Sequence, residues 1–328
     1  MTDYPFYRLD YKLDVKKILK LVKDFKPNVS YELPTQQSQQ PQQKFSKYGD
    51  KYFIIEDKWG NKDTFEINSL TDYFTEPIRI KCKFRNFPTP LEYWNQNKSA
   101  ILAKAKLDAE KNKNAQKNAI KTENYYIREA MYGAVHFCNN FKVTIALTVL
   151  RHFNAKKWLD ISAGWGDRLL AAIFHKVDLY IAADPNEELH PYYKEMISTF
   201  VPKTKQKNFK VFKSGFETAK FPDIKFDLVF SSPPFFDVEK YSTFTNNSLT
   251  KYAGEKAWCE NFFIKSLIIA YNKLEKNGHL VLYMGGSPYV MRQMHRLDKV
   301  MKYIGVIYAG GGGIFVWEKV RDDVITVL

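Results

Sequence analysis

Two rhythms of apolar and polar residues divide this chain. Between residues 123 and 328, short apolar runs alternate with stretches in which apolar residues recur every three or four positions. Trp158-Leu159-Asp160-Ile161-Ser162, Leu179-Tyr180-Ile181-Ala182-Ala183-Asp184 and Phe226-Asp227-Leu228-Val229-Phe230 read as buried strands. Phe141-Lys142-Val143-Thr144-Ile145-Ala146-Leu147 starts a helix that runs to about His152, and Arg168-Leu169-Leu170-Ala171-Ala172-Ile173 returns to helical spacing. Alternation of this kind builds a parallel sheet with helices on both faces. Residues 274–283 predict a helix end, a glycine turn and a further buried strand. The apolar runs 303–308 and 313–318 flank a glycine run and predict a closing antiparallel hairpin. Glycines 310 to 313 lack the following Lys-Ser/Thr that a phosphate loop requires.

The N-terminal third reads differently. Val15-Lys16-Lys17-Ile18-Leu19-Lys20-Leu21-Val22-Lys23 predicts an amphipathic helix with lysines on its outer face, ending before Pro27. Residues 34–43 are Gln-rich with nothing apolar to bury, which predicts a flexible loop. Lys51-Tyr52-Phe53-Ile54-Ile55-Glu56 predicts a strand, residues 59–63 a turn, and Thr64-Phe65-Glu66-Ile67 a returning strand. Arg79-Ile80-Lys81-Cys82-Lys83-Phe84-Arg85-Asn86-Phe87 alternates basic with apolar residues. It suits a half-buried strand, or a nucleic-acid surface with stacking platforms. Residues 95–121 are rich in Ala, Lys and Asn and predict a charged connector helix. The expected organisation is an accessory, target-recognition region at 1–95, a basic connector at 96–122 and one α/β domain at 123–328.

Composition narrows the partners. The 328 residues carry a formal net charge of +14 and a hydrophobic content of 45%, which describes a globular protein suited to an anionic partner, nucleic acid above all. Cys82, Cys138 and Cys259 are scattered, with no Cys-x-x-Cys pair, so neither a zinc site nor a disulfide framework is indicated. No signal core and no run long enough to span a membrane is present, so the expectation is a soluble intracellular protein without a membrane partner.

Chemistry concentrates at two strand ends. Asp160-Ile161-Ser162-Ala163-Gly164-Trp165-Gly166-Asp167-Arg168 joins a strand to a helix through a Gly-x-Gly turn. Asp184 ends the next strand about twenty residues on, a nucleoside-binding layout in which the acid accepts from ribose hydroxyls. A dinucleotide site would need a third glycine where Leu169 stands, and Asp160 before the turn would repel a pyrophosphate but attract a cationic ligand. S-adenosylmethionine, with its ammonium and sulfonium, fits better than NAD. At the other strand end lies Ser231-Ser232-Pro233-Pro234-Phe235-Phe236. Two prolines stop the strand because neither can donate to a ladder. The Ser232 hydroxyl and Pro233 carbonyl can take the two N–H groups of an exocyclic amine, while Phe235 stacks on its base.

Ser232-Pro233-Pro234-Phe235 resembles motif IV of the class I S-adenosylmethionine-dependent amino-methyltransferases that modify N4 of cytosine or N6 of adenine in DNA, and residues 160–169 resemble their motif I. Phe141-Lys142-Val143-Thr144 is similar to motif X, Asp184-Pro185-Asn186 to motif II, and Ser214-Gly215-Phe216-Glu217 sits at the place of motif III. The segment 236–241 is similar to the extension after motif IV in phage-type and bacterial members. The resemblance covers roughly residues 125–320. It implies a Rossmann-like, mostly parallel seven-stranded sheet with an antiparallel C-terminal hairpin. It also implies S-adenosylmethionine as cofactor, held by Phe141, Lys142, Thr144, Asp160, Ser162, Ala163, Gly164, Gly166, Arg168, Asp184, Pro185, Asn186, Phe216, Glu217 and Ser231. The amine would be handled by Ser232, Pro233, Pro234 and Phe235, with Phe236 and Tyr241 touching substrate and no metal required.

The polar, aromatic segment 237–256 then predicts a loop that closes over an extruded base. The Ser form of motif IV tilts the reading to cytosine N4 over adenine N6, and DNA is favoured over RNA. An RNA N6-adenosine methyltransferase, for instance one acting next to a cap, stays open. So do glutamine methylation of a protein and a non-catalytic nucleic-acid-binding subunit of the same fold.

Overall fold

The computed structural model describes residues 4–30, 51–55, 62–113, 122–241, 246–309 and 312–328. Its strands are β1 (Val29–Ser30), β2 (Lys51–Ile55), β3 (Lys83–Phe84), β4 (Lys157–Asp160), β5 (Leu179–Ala183), β6 (Phe209–Phe212), β7 (Phe226–Ser231), β8 (Glu239–Lys240), β9 (Leu274–Tyr283), β10 (Lys302–Ala309) and β11 (Gly312–Glu318). Nine of them form one sheet in the order β1-β2-β10-β11-β9-β7-β4-β5-β6, while β3 and β8 pair separately. From β6 inward, the run β6-β5-β4-β7-β9 is parallel and reproduces the 3-2-1-4-5 order of a doubly wound nucleotide-binding sheet. β11 then inserts antiparallel between β9 and β10. This is the expected Rossmann-like, mostly parallel sheet with an antiparallel hairpin, and its switch point falls between β4 and β7, beside the Gly-x-Gly turn.

Period-two alternation builds the two cores. Trp158, Tyr180, Ala182, Leu228, Phe230 and Val281 face one side; Leu159, Ile181, Ala183, Val229, Leu280 and Leu282 face the other. Helices Val143–His152, Asp167–His175 and His190–Phe200 cover the first side, and helix Lys265–Lys273 the second. The Trp158 indole N–H donates to the Phe230 carbonyl (2.8 Å), locking β4 to β7.

Several expectations change. The hairpin β10–β11 does not end the sheet: β2 pairs parallel to β10 and β1 antiparallel to β2, which makes nine strands where seven were expected. The returning strand expected at 64–67 is instead helix Lys62–Asn68, followed by helix Leu70–Arg79. The reason is spacing. Ile67, Leu70, Phe74 and Ile78 are all buried, and a step of three or four puts them on one helical face against the first core. The alternating stretch 79–87 yields only the two-residue β3, because Arg79 belongs to the preceding helix. Residues 274–278 belong to β9 instead of a helix end, with Asn277 taking the left-handed turn at φ +67°.

The amphipathic helix forms at Val15–Asp24, with the Asp14 carboxylate accepting from Lys17 N (3.0 Å) and Ile18 and Val22 buried. The expected connector begins inside helix Pro90–Lys113. That helix packs with helix Glu123–Tyr132 around Trp94, Ile101, Ile127 and Met131, a third core also reached by Tyr4. The Gln-rich segment 34–43, residues 59–61 of the turn expected at 59–63, residues 115–121, Gly310 and Phe244 lie outside the described residues, and residues 62–63 of that turn open helix Lys62–Asn68.

Candidate active site

A cavity of about 510 Å³ opens along the C-terminal ends of β4, β5 and β7, the end at which sheets of this kind take their ligands. Its size suits a drug-sized cofactor. The Gly-x-Gly turn forms its floor. Gly164 has φ +58° and Gly166 φ +99°, left-handed conformations that favour glycine at both positions. The Gly164 N–H donates to Asp184 Oδ2 and the Asn186 N–H to Oδ1, both at 2.9 Å. The Tyr193 hydroxyl also hydrogen-bonds to this carboxylate. Burial outweighs these bonds and raises the carboxyl from 3.8 to about 6.

Glu217 holds the next position along the wall. Its side chain is 3% exposed, and Oε1 accepts from Lys251 Nζ (2.8 Å) and Tyr252 Oη (3.0 Å). Oε2 is buried without a hydrogen-bond partner. A Cβ on Gly215 would collide with that carboxylate, so glycine there lets it fold back against the turn. The segment after residue 246 folds over this side: Asn246, Asn247 and Ser248 line the cavity and Asn246 Nδ2 donates to the Pro185 carbonyl (3.0 Å). This part of the expected closing loop is therefore tied to the Asp184–Glu217 side; residues 242–245 are outside the description.

Ser232, Pro234 and Phe235 line the same cavity, with Pro233 buried behind them. Ser162 Oγ donates to the Ser232 carbonyl (2.9 Å), joining the two strand ends. The Phe235 ring packs on Tyr283, with centroids 5.8 Å apart, and a Cβ at Gly285 would lie 3.4 Å from it. Phe236 adopts φ +60°, a left-handed conformation that is costly for a bulky residue. The kink sends its ring onto Trp258 (5.7 Å). Phe236 is thus absent from the cavity lining and is a core contact, not the substrate contact expected. Tyr241 does line the cavity, and its hydroxyl donates to Glu239, another lining residue whose carboxyl is pushed up by burial.

Phe141, Lys142, Ser162, Gly164, Arg168, Asp184, Pro185, Asn186, Phe216 and Glu217 all line the cavity. Other residues expected to hold the cofactor do not. Asp160 is fully buried and saturated: Arg168 Nε (2.9 Å) and Tyr180 Oη (3.0 Å) donate to Oδ2, and Ser162 N (3.2 Å) to Oδ1. Its charge is spent on Arg168, so it is not available to a cationic ligand. Thr144 is turned to Asn68 Oδ1, which accepts from both its N–H and hydroxyl (3.0 and 3.1 Å). Ser231, Ala163 and Gly166 shape the turn from behind the wall.

Sequence reasoning missed the opposite wall. Phe84, Asn139 and Asn140 line the cavity, as do Trp165 and Asp167 of the turn itself. Helix Leu70–Arg79 braces that turn: Thr71 Oγ1 donates to Asp167 Oδ1, and Thr75 Oγ1 to the Trp165 carbonyl (3.0 Å). Burial raises the Asp167 carboxyl to about 7. No cluster of three or more metal-ligating side chains occurs among the described residues, and no described helix is long and apolar enough to cross a membrane.

No protein-family model and no curated protein sequence matches the chain. Among solved structures it is similar to TrmN from Thermus thermophilus, at 15% identity over 62% of this chain and 70% of that one, with a TM-score of 0.41. It is also similar to a ribosomal protein L11 methylase from Lactobacillus delbrueckii subsp. bulgaricus (13%, 56% and 81%, TM-score 0.40). An rRNA methylase from Streptococcus thermophilus gives 13%, 56% and 99%, with a TM-score of 0.37.

Proposed function

We propose that this protein transfers a methyl group from S-adenosylmethionine to the exocyclic amine of a nucleobase in nucleic acid, with DNA favoured and cytosine N4 ahead of adenine N6. The observation that carries the reading is that one cavity joins Asp184 and Glu217 to Ser232, Pro234 and Phe235. The residues fit the cofactor. Asp184 is a lining carboxylate that can accept from ribose hydroxyls, and the orphaned Glu217 Oε2 is an acceptor of the kind an adenine amino group satisfies. Phe216 and Ile161 supply an apolar wall, and Phe141 lies 5.5 Å from the Arg168 guanidinium on the opposite side. The cofactor, when bound, supplies an electrophilic methyl group.

The chain's own contribution is positioning. Phe235 fixes the plane of the target base. The Ser232 hydroxyl accepts an amine N–H group and draws its nitrogen towards a tetrahedral shape, so that its lone pair is free to attack; Pro233, behind the lining, holds the strand end rigid. The methylated nitrogen is acidic and gives its proton to water or to Glu239. A base within a duplex reaches such a site only by leaving the stack.

The test is transfer of labelled methyl to DNA and RNA, with digestion and mass analysis of the nucleosides. Wild type should yield one methylated base, and Ser232→Ala and Phe235→Ala should each lower turnover by about a hundredfold. A methylated adenosine in RNA would select the RNA alternative. Cofactor binding without transfer to any nucleic acid would shift the reading to a protein amide. Absence of both would leave a non-catalytic binding subunit.

A further inference from the structure

The small ribbon β3–β8 flanks the cavity, and its register sorts its side chains. Lys83 pairs with Lys240 and Phe84 with Glu239, and directly opposed residues share a face. Phe84 and Glu239 line the cavity. Lys83 and Lys240 are exposed on the other face. The ribbon is closed by Arg85 N donating to the Val238 carbonyl (2.8 Å), and Arg85 takes φ +52° there, which leaves its side chain exposed. Its guanidinium lies 5.5 Å from the Phe84 ring centroid. The stack continues outward: Phe84 to His136 at 6.1 Å and 27°, then His136 to Phe87 at 4.3 Å, with Phe87 42% exposed.

The cations are weakly held. Lys83 reaches Glu92 at 3.2 Å across a solvent-exposed pair, and Lys240 reaches the Asn86 amide oxygen at 3.4 Å. Exposed pairs of this kind contribute little and exchange readily. Only three residues separate Phe235 from Glu239, so the ribbon is tethered directly to the strand end that would hold the target base.

We propose that the β3–β8 ribbon is the docking rail for a single-stranded nucleic acid. Lys83, Arg85 and Lys240 hold successive phosphates, and Phe87 with His136 stacks the unpaired base next to the one that enters the cavity. The proposal rests on the nucleic-acid reading above and adds strandedness and location to it. Two observations favour a single strand over a duplex. Exposed rings stack only on bases whose faces are free. A pair of two-residue strands is also too short to lie along a major groove as a reading element.

The test is fluorescence anisotropy with a labelled single-stranded DNA oligonucleotide, its RNA counterpart and the matching DNA duplex, each over a range of salt. Wild type should bind a single strand more tightly than the duplex, and the DNA and RNA arms show which polymer it prefers. The triple variant Lys83→Ala/Arg85→Ala/Lys240→Ala should lower the magnitude of the salt slope by about 2, from about 0.7 per phosphate contact on a single strand. Phe87→Ala should weaken binding about tenfold with the slope unchanged. Both variants should keep wild-type cofactor affinity, which shows that the cavity is intact.

An unchanged slope in the triple variant, tighter binding of the duplex, or no binding by wild type overturns the rail. The two readings fail separately. Methyl transfer to nucleic acid with the triple variant binding like wild type sinks the rail alone. Binding that responds to the variants, without transfer, supports the rail and sinks the chemistry.

Discussion

On the strand-end wall of the cavity, Asp184 takes one backbone N–H on each oxygen, and Glu217 leaves Oε2 buried with no partner. On the N-terminal side, behind the cavity lining, Glu76 takes four donors. Oε1 accepts from Arg128 Nε and Nη2 (2.9 and 2.7 Å) and from Tyr132 Oη (2.7 Å), while Oε2 accepts from Tyr7 N (2.6 Å). Asp72 is used likewise, by Arg79 (2.6 Å), Asn140 (2.8 Å) and Arg128 (3.4 Å). Both sides bury carboxylates, but Glu76 and Asp72 have donors from within the protein on both oxygens, whereas Glu217 leaves one oxygen open. A buried polar atom left open is costly, so it persists where something else fills it. The contrast is one of acceptors: the brace leaves a donor, Arg79 Nε, unpartnered, and the cavity side leaves the carboxylate oxygen of Glu217 open. It also singles out Asn140, which belongs to the brace through Nδ2 yet lines the cavity and leaves Oδ1 buried and unpartnered.

The largest effect should come from the brace. Glu76→Ala leaves Arg128, 7% exposed, facing an emptied site. Removing one partner of a buried ion pair costs about 3–5 kcal/mol. Urea unfolding of the variant against wild type should show a loss of that order. A change below about 1 kcal/mol would mean that the network is no more than decoration on a surface already held by packing.

The binding wall should respond in affinity and not in stability. Glu217→Ala removes the open acceptor, while Lys251 and Tyr252 can turn to solvent because their side chains are partly exposed. A hydrogen bond to a charged group contributes about 1.5–3 kcal/mol, so S-adenosylmethionine binding measured by calorimetry should weaken about tenfold to a hundredfold at a nearly unchanged melting temperature. Unaltered affinity would show that Oε2 does not meet the ligand, and the distinction between the walls would lose its best residue.

The same distinction explains which parts were legible in the sequence. Gly164, Asp184, Glu217, Ser232 and Phe235 sit on or just beyond consecutive strand ends, and a parallel sheet gathers its strand ends at one edge. Local patterns place such residues correctly. They do not tell which way a side chain turns: Asp160 and Thr144 belong to the same motifs but face Arg168 and Asn68. The brace was not legible, because its contacts join residues far apart in the chain. Thr71 meets Asp167 across 96 positions, and β2 meets β10 across some 250. One signal was present. Asp72, Glu76 and Arg79 recur at helical spacing among Leu70, Phe74 and Ile78, and charges placed beside an apolar stripe are candidates for burial. Reading 64–67 as a strand broke that period and hid it.

The smallest effect, and the sharpest test of the open wall, is a pH dependence. With its carboxyl raised from 3.8 to about 6, Asp184 in the unliganded protein is ionised only above about pH 6. The folded state holds a proton that the unfolded state releases between those two values. The contribution of this group to stability is therefore full below about pH 4 and is lost as pH rises through about 6. Cofactor binding should run the other way, because ribose hydroxyls donate to the carboxylate and not to the acid. Affinity for S-adenosylmethionine should be level above pH 7 and about tenfold weaker at pH 5, since one pH unit below the midpoint leaves about a tenth of the sites ionised. Asp184→Asn should bind weakly at every pH and show no such step. A step that survives in Asp184→Asn would assign the titration elsewhere, with Asp167, raised to about 7 on the same cavity, the next residue to replace. Opposite pH trends for stability and binding, both removed by one substitution, would mark Asp184 as a carboxylate whose burial cost is offset only when the ligand arrives.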